Sequence, residues 1–431
     1  MKIRIKRRRQ NEVVVLYIFL VPFLFAMLTE LLHLPSLVKY TVDLAWLFIL
    51  LTMVIKKKYP IPREANILKV WVIAFFIYCV CNYILHYQSL LYFVWGLRNN
   101  FRFFVFFLAC IYYLNCDTID DLFIFINKIY YVHIAIVLVQ FFFLDYSQDY
   151  LGGIFGTQSG CNGWMNAFYV IVVTYSLLRY LNKECSAKSC IINCGMALAT
   201  AAMAELKFFF AEFIIILILT ILLTDFTWKK VGIIVGAILG LILSVNLLLS
   251  VFPQWIGAMS VQGFLSIAAS DAGYTTSGDM NRLTFMSMSN DLYLRTPFQK
   301  LFGLGLGNCD YSDAISLLTT SFYKENRWTH YTWFSLAFMY LENGLIGLIF
   351  YIGFFVISFF SIRGYVKKHG NSVYSCLAEI MSIMCIAISF YNSSLRMESG
   401  YMLYFILAVP YILSKEGSPR SKRKGENELC N

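Results

Sequence analysis

Apolar residues run along this chain in long, almost unbroken stretches, without the 3.6-residue stripe of a surface helix or the alternation of a half-buried strand. Twelve such stretches lie at 13–33, 38–55, 67–87, 101–115, 127–145, 164–181, 188–205, 208–224, 231–252, 343–362, 373–391 and 399–414. A hydrocarbon layer about 30 Å thick takes roughly 20 apolar residues per helix. Within it every backbone group must be satisfied inside the element, which selects helices over open sheets. The expected fold class is all-α, a polytopic membrane protein with about 12 transmembrane helices and a helical outer loop domain. Composition agrees: 59% of residues are hydrophobic, 14% are charged, and the mean hydropathy is +0.66.

The polar segments divide the chain into a basic cytoplasmic N-terminus (1–12), spans one to nine (13–252), and a large outer loop with a half-helix (253–342). Spans ten to twelve (343–414) and a cytoplasmic tail (415–431) follow. The first stretch follows Lys2, Arg4, Lys6, Arg7, Arg8 and Arg9 and has no small-residue cleavage site after it, which reads as a retained signal anchor. With both termini inside, 25 of the 35 Lys and Arg fall on the cytoplasmic side, among them Lys56, Lys57, Lys58, Lys229, Lys230, Arg363, Lys367 and Lys368. The net charge of +10 is then explained by basic segments facing anionic lipid, and no nucleic-acid partner is expected. No internal repeat is evident, unlike transporters built from two related halves. Of the 12 Cys, only Cys161 and Cys309 fall in outer loops, which leaves a bridge between them open. No Cys/His spacing resembles a metal site, and no cofactor is expected.

The cations that break the inside bias carry the chemistry. They are Lys39, Arg98, Arg102, Lys207, Arg282, Arg295, Lys300, Lys324, Arg327 and Arg396. Arg98 and Arg102, four apart, would share a helix face at the outer mouth of span four. Lys207 stands at the turn before span eight. Any one of these could snorkel to lipid phosphates. A cluster of Arg282, Lys207, Arg98 and Arg102 in one outward cavity would instead grip a pyrophosphate through charge-assisted hydrogen bonds.

The run FGLGLGN supplies Gly303, Gly305 and Gly307, and LENGLIG supplies Glu342 and Gly344. The apolar run 331–360 would be about 45 Å long as one straight helix, so a break is expected near Asn343–Gly344. That break would leave a half-helix with His330 at its N-terminal end and Glu342 at the break. A His there is held towards neutrality by the helix dipole and could take a proton from a sugar hydroxyl; a surface or capping role is the plainer alternative. Four acids lie within spans, Glu30, Asp43, Glu212 and Glu379, for which structural pairing is expected ahead of a proton relay.

In order and placement these pieces resemble the O-antigen polymerase and O-antigen ligase superfamily, the Wzy-type polymerases and their related ligases. The resemblance rests on Arg282 ahead of Gly303, Gly305 and Gly307, then His330, then Glu342, Gly344 and Gly347, together with Gly153, Gly156 and Asn162 in an earlier loop and Lys207 at the mouth of span eight. Ligases of that family carry Arg where this chain has Lys207, and His-Asn where it has His330-Tyr331, which tilts the resemblance towards the polymerases.

What the resemblance implies is metal-independent, inverting glycosyl transfer on the outer face of a bacterial inner membrane. Undecaprenyl-pyrophosphate-linked oligosaccharides would be donor and acceptor, with membrane lipid, a flippase and a chain-length regulator as partners. Arg282, Lys207, Arg98 and Arg102 would bind pyrophosphate, and His330 or Glu342 would act as base. A ligase passing finished glycan to lipid A core or to protein stays open, as does a 12-span flippase or transporter. Membrane glycosyltransferases that bind metal through acids in the first outer loop fit less well, because LPSL at 34–37 has none.

Overall fold

The computed structural model describes residues 10–35, 38, 40–55, 61–224, 228–256 and 278–415. Lys39, Lys56, Lys57 and Lys58, the basic N-terminal cluster, loop residues 257–277 and the tail beyond 415 lie outside the described residues.

The described residues are helical and contain no strand. Each expected span coincides with a helix: α1 Gln10–Ala26, α2 Thr41–Ile55, α3 Arg63–His86, α4 Leu90–Tyr113, α5 Cys116–Phe143 and α6 Cys161–Leu181. Then come α7 Ala187–Met203, α8 Lys207–Leu223, α9 Trp228–Val251, and, after three short helices, α13 Ser335–His369, α14 Val373–Tyr391 and α15 Gly400–Ser414. The short helices, α10 Phe285–Leu292, α11 Pro297–Phe302 and α12 Ser321–Asn326, build a cap at one end of the bundle. Five helices are long and apolar enough to cross a membrane: Arg63–His86, Cys116–Phe143, Lys230–Val251, Ser335–Lys368 and Val373–Tyr391. Four other apolar helices, α1, α2, α7 and α15, are of 10–17 residues.

Local chemistry starts and stops the helices. Asn115 caps α5 by accepting the Thr118 amide, Ser186 caps α7, and Ser372 with Ser375 forms a reciprocal box at α14. The centre of the bundle is α15, buried from Gly400 to Ile412, packed against α4 and α14. Phe103, Phe104, Tyr401, Tyr404 and Phe354 meet there edge-on or offset, each such pair adding about 0.5–1.5 kcal/mol to plain contact. Helix α9 is peripheral, with Leu239, Ile242 and Leu243 exposed.

One expectation needs correction, and one question left open is answered. Span four was expected at 101–115, but α4 begins at Leu90. The polar stretch Gly96–Arg98–Asn99–Asn100 masks its first turns in the hydropathy pattern. Arg98 and Arg102 therefore sit within the helix instead of at its mouth. Cys161 and Cys309 are both free thiols, and the Cys161 Sγ donates to the Asp149 carbonyl at 3.3 Å.

Candidate functional site

The site begins at a broken helix. Gly344 has φ +63° and ψ −167° inside α13, so the carbonyls before it lose their helical partners. The Gly-rich loop supplies replacements: the Leu304 amide donates to the Leu341 carbonyl (2.8 Å) and the Gly305 amide to the Glu342 carbonyl (2.9 Å). Tyr78 on α3 donates its hydroxyl to the Asn343 carbonyl at 2.6 Å. The loop is wedged tightly, because a Cβ on Gly303 would lie 2.5 Å from the Glu342 carbonyl carbon, and one on Gly344 would strike the Leu301 carbonyl. Gly307 lies against Tyr92 and Gly96 of α4 in the same way.

Glu342 completes this joint. Its carboxylate is fully buried and its Oε1 accepts the Gly307 amide (2.9 Å) and the Cys309 amide (3.3 Å). One oxygen is thus committed to fixing the loop, while the buried Oε2 has no hydrogen-bond partner among the described residues.

The break frees the first turn of α13 to meet the loop between α14 and α15. Ser335 donates both its amide (3.1 Å) and its hydroxyl (3.2 Å) to the Asn392 carbonyl. Around this contact three cations gather. Arg282 lies over the rings of Phe334 (5.4 Å) and Tyr391 (5.5 Å), and its Nε donates to the Tyr391 carbonyl at 3.4 Å. Lys207 opens α8 beside Phe208, whose ring stacks on Tyr391 at 4.4 Å, and it pairs with Glu205 at 2.9 Å. Lys207 and Arg282 are near enough to repel one another. Arg396 lies over Phe338, 3.1 Å from the ring centroid and one helical turn beyond Phe334. Among the described residues the buried Arg396 Nε has no hydrogen-bond partner. Its charge faces the two buried carboxylates Asp310 and Glu342.

The remaining expected clamp residues are committed elsewhere. Arg98 forms a two-pronged pair with Asp43 of α2 (Nε–Oδ1 2.8 Å, Nη2–Oδ2 2.7 Å) and lies over Trp95 and Tyr40. Arg102 is buried; it pairs with Glu398 at 2.9 Å and donates to the Arg396 carbonyl at 3.0 Å. Arg102 therefore shapes the loop that carries Arg396 and does not itself reach the cation cluster's surface.

His330 is not at the N-terminus of α13, whose cap is Phe334. It adopts a left-handed conformation (φ +52°) between two short turns and stacks on Trp333 at 3.9 Å. Partial burial lowers its pKa from 6.5, opposed by the nearby Asp279 charge. The Met280 amide donates to the Thr329 carbonyl at 2.8 Å, which holds the strand of chain carrying Arg282 alongside the one carrying His330.

A second loop borders the turn that carries Lys207. Gly152 to Gly156 are buried among α1, α5 and α6. Gln140 brackets Gly153 by donating to its carbonyl (3.1 Å) and accepting its amide (2.7 Å), and His133 Nδ1 accepts the Ile154 amide (3.3 Å). Glu30 accepts both the amide (2.9 Å) and hydroxyl (3.0 Å) of Thr157. Asn162 then donates to Asp149 (2.9 Å) and to the Ala204 carbonyl (3.4 Å), tying this loop to the turn that carries Lys207.

Three of the four acids within spans are paired as expected: Glu30 with Thr157, Asp43 with Arg98, and Glu379 with Arg363 at 3.5 Å. Glu212 is the exception. It is fully buried, and the polar group that faces it is the equally buried amide of Asn166 on α6.

Arg396 is one of the outer cations of the sequence but lies outside the expected clamp of Arg282, Lys207, Arg98 and Arg102. Its signal was a lone Arg in the short loop NSSLRMESG between two apolar runs. No protein-family model matches the chain, and comparison with curated proteins likewise finds no match.

Proposed function

We propose that this chain is a polysaccharide polymerase of the inner bacterial membrane. In this reading all twelve apolar helices span the bilayer, both termini are cytoplasmic, and the cap faces outward. Two oligosaccharide repeat units, each on undecaprenyl pyrophosphate, enter from the lipid. The acceptor's terminal hydroxyl attacks the donor's anomeric carbon in line, a new C–O bond forms with inversion, and the bond to pyrophosphate breaks.

The observation that carries this reading is the gathering of Arg282, Lys207 and Arg396 around Tyr391, Phe334 and Phe338 at the rim of a broken helix. Such fixed cations neutralise the charge that develops on a leaving pyrophosphate. His330, partly exposed and shifted towards neutrality, takes the hydroxyl proton. Arg98, Arg102 and Glu342 act as framework.

The test is to delete the gene in its host and resolve surface polysaccharide by size, complementing with wild type, Arg282→Ala and Arg396→Ala at matched membrane levels. Loss of the length ladder with single repeat units retained is the expected deletion phenotype. Either substitution should cost about 10²–10³ in polymerisation rate. Loss of all surface glycan, single units included, points to a ligase or flippase, and an unchanged pattern removes the glycan reading.

A further inference from the structure

The short helix α11 lies apart from the cation site, and its placement is unusual for a solvent-facing cap. Thr296 and Gln299 box its N-terminus: the Thr296 Oγ1 accepts the Gln299 amide (3.2 Å) and the Gln299 Oε1 accepts the Thr296 amide (3.1 Å). Its other end is pinned to α3, where Asn82 donates to the Phe302 carbonyl (2.8 Å) and His86 contacts the Gly303 carbonyl (3.0 Å). The Phe298 ring meets the His86 ring at 5.4 Å. So α11 sits at the level of the α3–α4 turn, capped at its N-terminus and pinned to α3 at its C-terminus.

That level is marked by side chains. At the turn Tyr87 is 95% exposed, the position in which Tyr populates the boundary between hydrocarbon and water. On either side Ile84, Leu85, Leu90 and Leu91 are exposed apolar residues of α3 and α4. Phe298 and Leu301, three apart and thus on one face of α11, are each 42% exposed and continue this apolar surface onto the cap. Arg295 and Lys300 are exposed beside them, with Asp291 the one exposed acid in the 291–302 stretch. Apolar residues bordered by exposed cations make a surface that lies in a headgroup layer.

We propose that α11 is an interfacial foot: Phe298 and Leu301 enter the outer leaflet, and Arg295 and Lys300 bind the phosphates of anionic phospholipid. This rests on the membrane orientation given under Proposed function. Its consequence is mechanical, because α11 ends at Gly303, the residue packed on the Glu342 carbonyl at the helix break. The lipid surface thereby holds the joint on which the first turn of α13 depends.

The full chain is reconstituted in vesicles of phosphatidylcholine alone or mixed with phosphatidylglycerol, each containing a phospholipid with a headgroup-proximal diazirine. After photolysis, adducts are mapped by peptide mass spectrometry. The expected result is labelling of both 84–91 and 295–302, stronger in the anionic vesicles. The Arg295→Gln/Lys300→Gln variant should cut the 295–302 label there by about twofold or more, leaving 84–91 unchanged. Labelling of 84–91 without 295–302 overturns the foot while sparing the membrane orientation. Equal labelling in both lipids, insensitive to the double substitution, overturns the headgroup contact. Absence of label at 84–91 as well overturns the orientation itself.

Discussion

The pair Arg102–Glu398 offers the sharpest separation of framework from chemistry. Arg102 is 3% exposed, and its two terminal nitrogens go to Glu398 (2.9 Å) and to the Arg396 carbonyl (3.0 Å). Arg102→Ala leaves Glu398 as a buried, uncompensated charge, and breaking such a pair costs about 3–5 kcal/mol. Little is recovered by solvent, since both partners lie inside. In a detergent-solubilised thermal melt read by fluorescence-detected size exclusion, that loss should appear as a drop of at least about 5 °C and a reduced yield of monodisperse protein. Arg102→Met with Glu398→Met removes both charges and the desolvation cost together, so the double variant should recover most of the stability lost in either single one. A clamp residue behaves in the opposite way: its loss leaves the melt unchanged and abolishes activity, and charge removal on Glu398 restores nothing. If Arg102→Ala melts within about 1 °C of wild type while polysaccharide length collapses, the framework assignment is wrong and Arg102 belongs with Arg282.

Gly303→Ala places a methyl group against the Glu342 backbone at a residue with φ +75°. The strain of about 1–3 kcal/mol, with the clash added, should lower folded yield, whereas Gly195→Ala on α7, where a Cβ meets nothing within 4 Å, should be silent. For pH, the folded state holds His330 below its usual 6.5, so its neutral form is favoured by folding, and that contribution is present above 6.5 and fades as pH falls through the lowered value. If His330 takes the acceptor proton, the rate of repeat-unit joining should be flat at neutral pH and fall on an acid limb with an apparent pKa under 6.5. His330→Gln should lose about 10²-fold in rate and the limb with it; an intact limb in that variant assigns the proton to another group.

Much of the frame could be read from the chain before any coordinates. Twelve apolar stretches became twelve helices because a run that must satisfy its own backbone has few alternatives. The break at Gly344 followed from length alone. Arg282 and Lys207 stood out because they are cations on the side that is otherwise poor in Lys and Arg. What could not be read was which cation is spent on an internal partner. Glu398 lies 296 residues from Arg102 and Asp43 lies 55 from Arg98, and no helical periodicity links positions so far apart. The same blindness hid the role of Glu342, since its partners are backbone amides of a loop 33 and 35 residues away that carry no side-chain signature. Helix α4 began eleven residues early for a related reason. Its polar residues are matched across the bundle, and hydropathy scores them as though they faced lipid.

The loop from Gly152 to Gly160 separates two kinds of sequence freedom. Its first half is a cast part: Gln140, His133 and Glu30 each grip backbone atoms, and a Cβ on Gly152, Gly153 or Gly156 would collide with Cys161, His133 or Glu30. Its tip, Gln158 and Ser159, is exposed and is gripped by none of these. Changes of side chain there leave the mould untouched while altering the surface that borders the Lys207 turn. Two adjacent codons could thus be rewritten without renegotiating the fold, and a saturation library across 152–160 should show intolerance through Thr157, indifference at Gln158 and Ser159, and intolerance again at Gly160, whose φ is +85°.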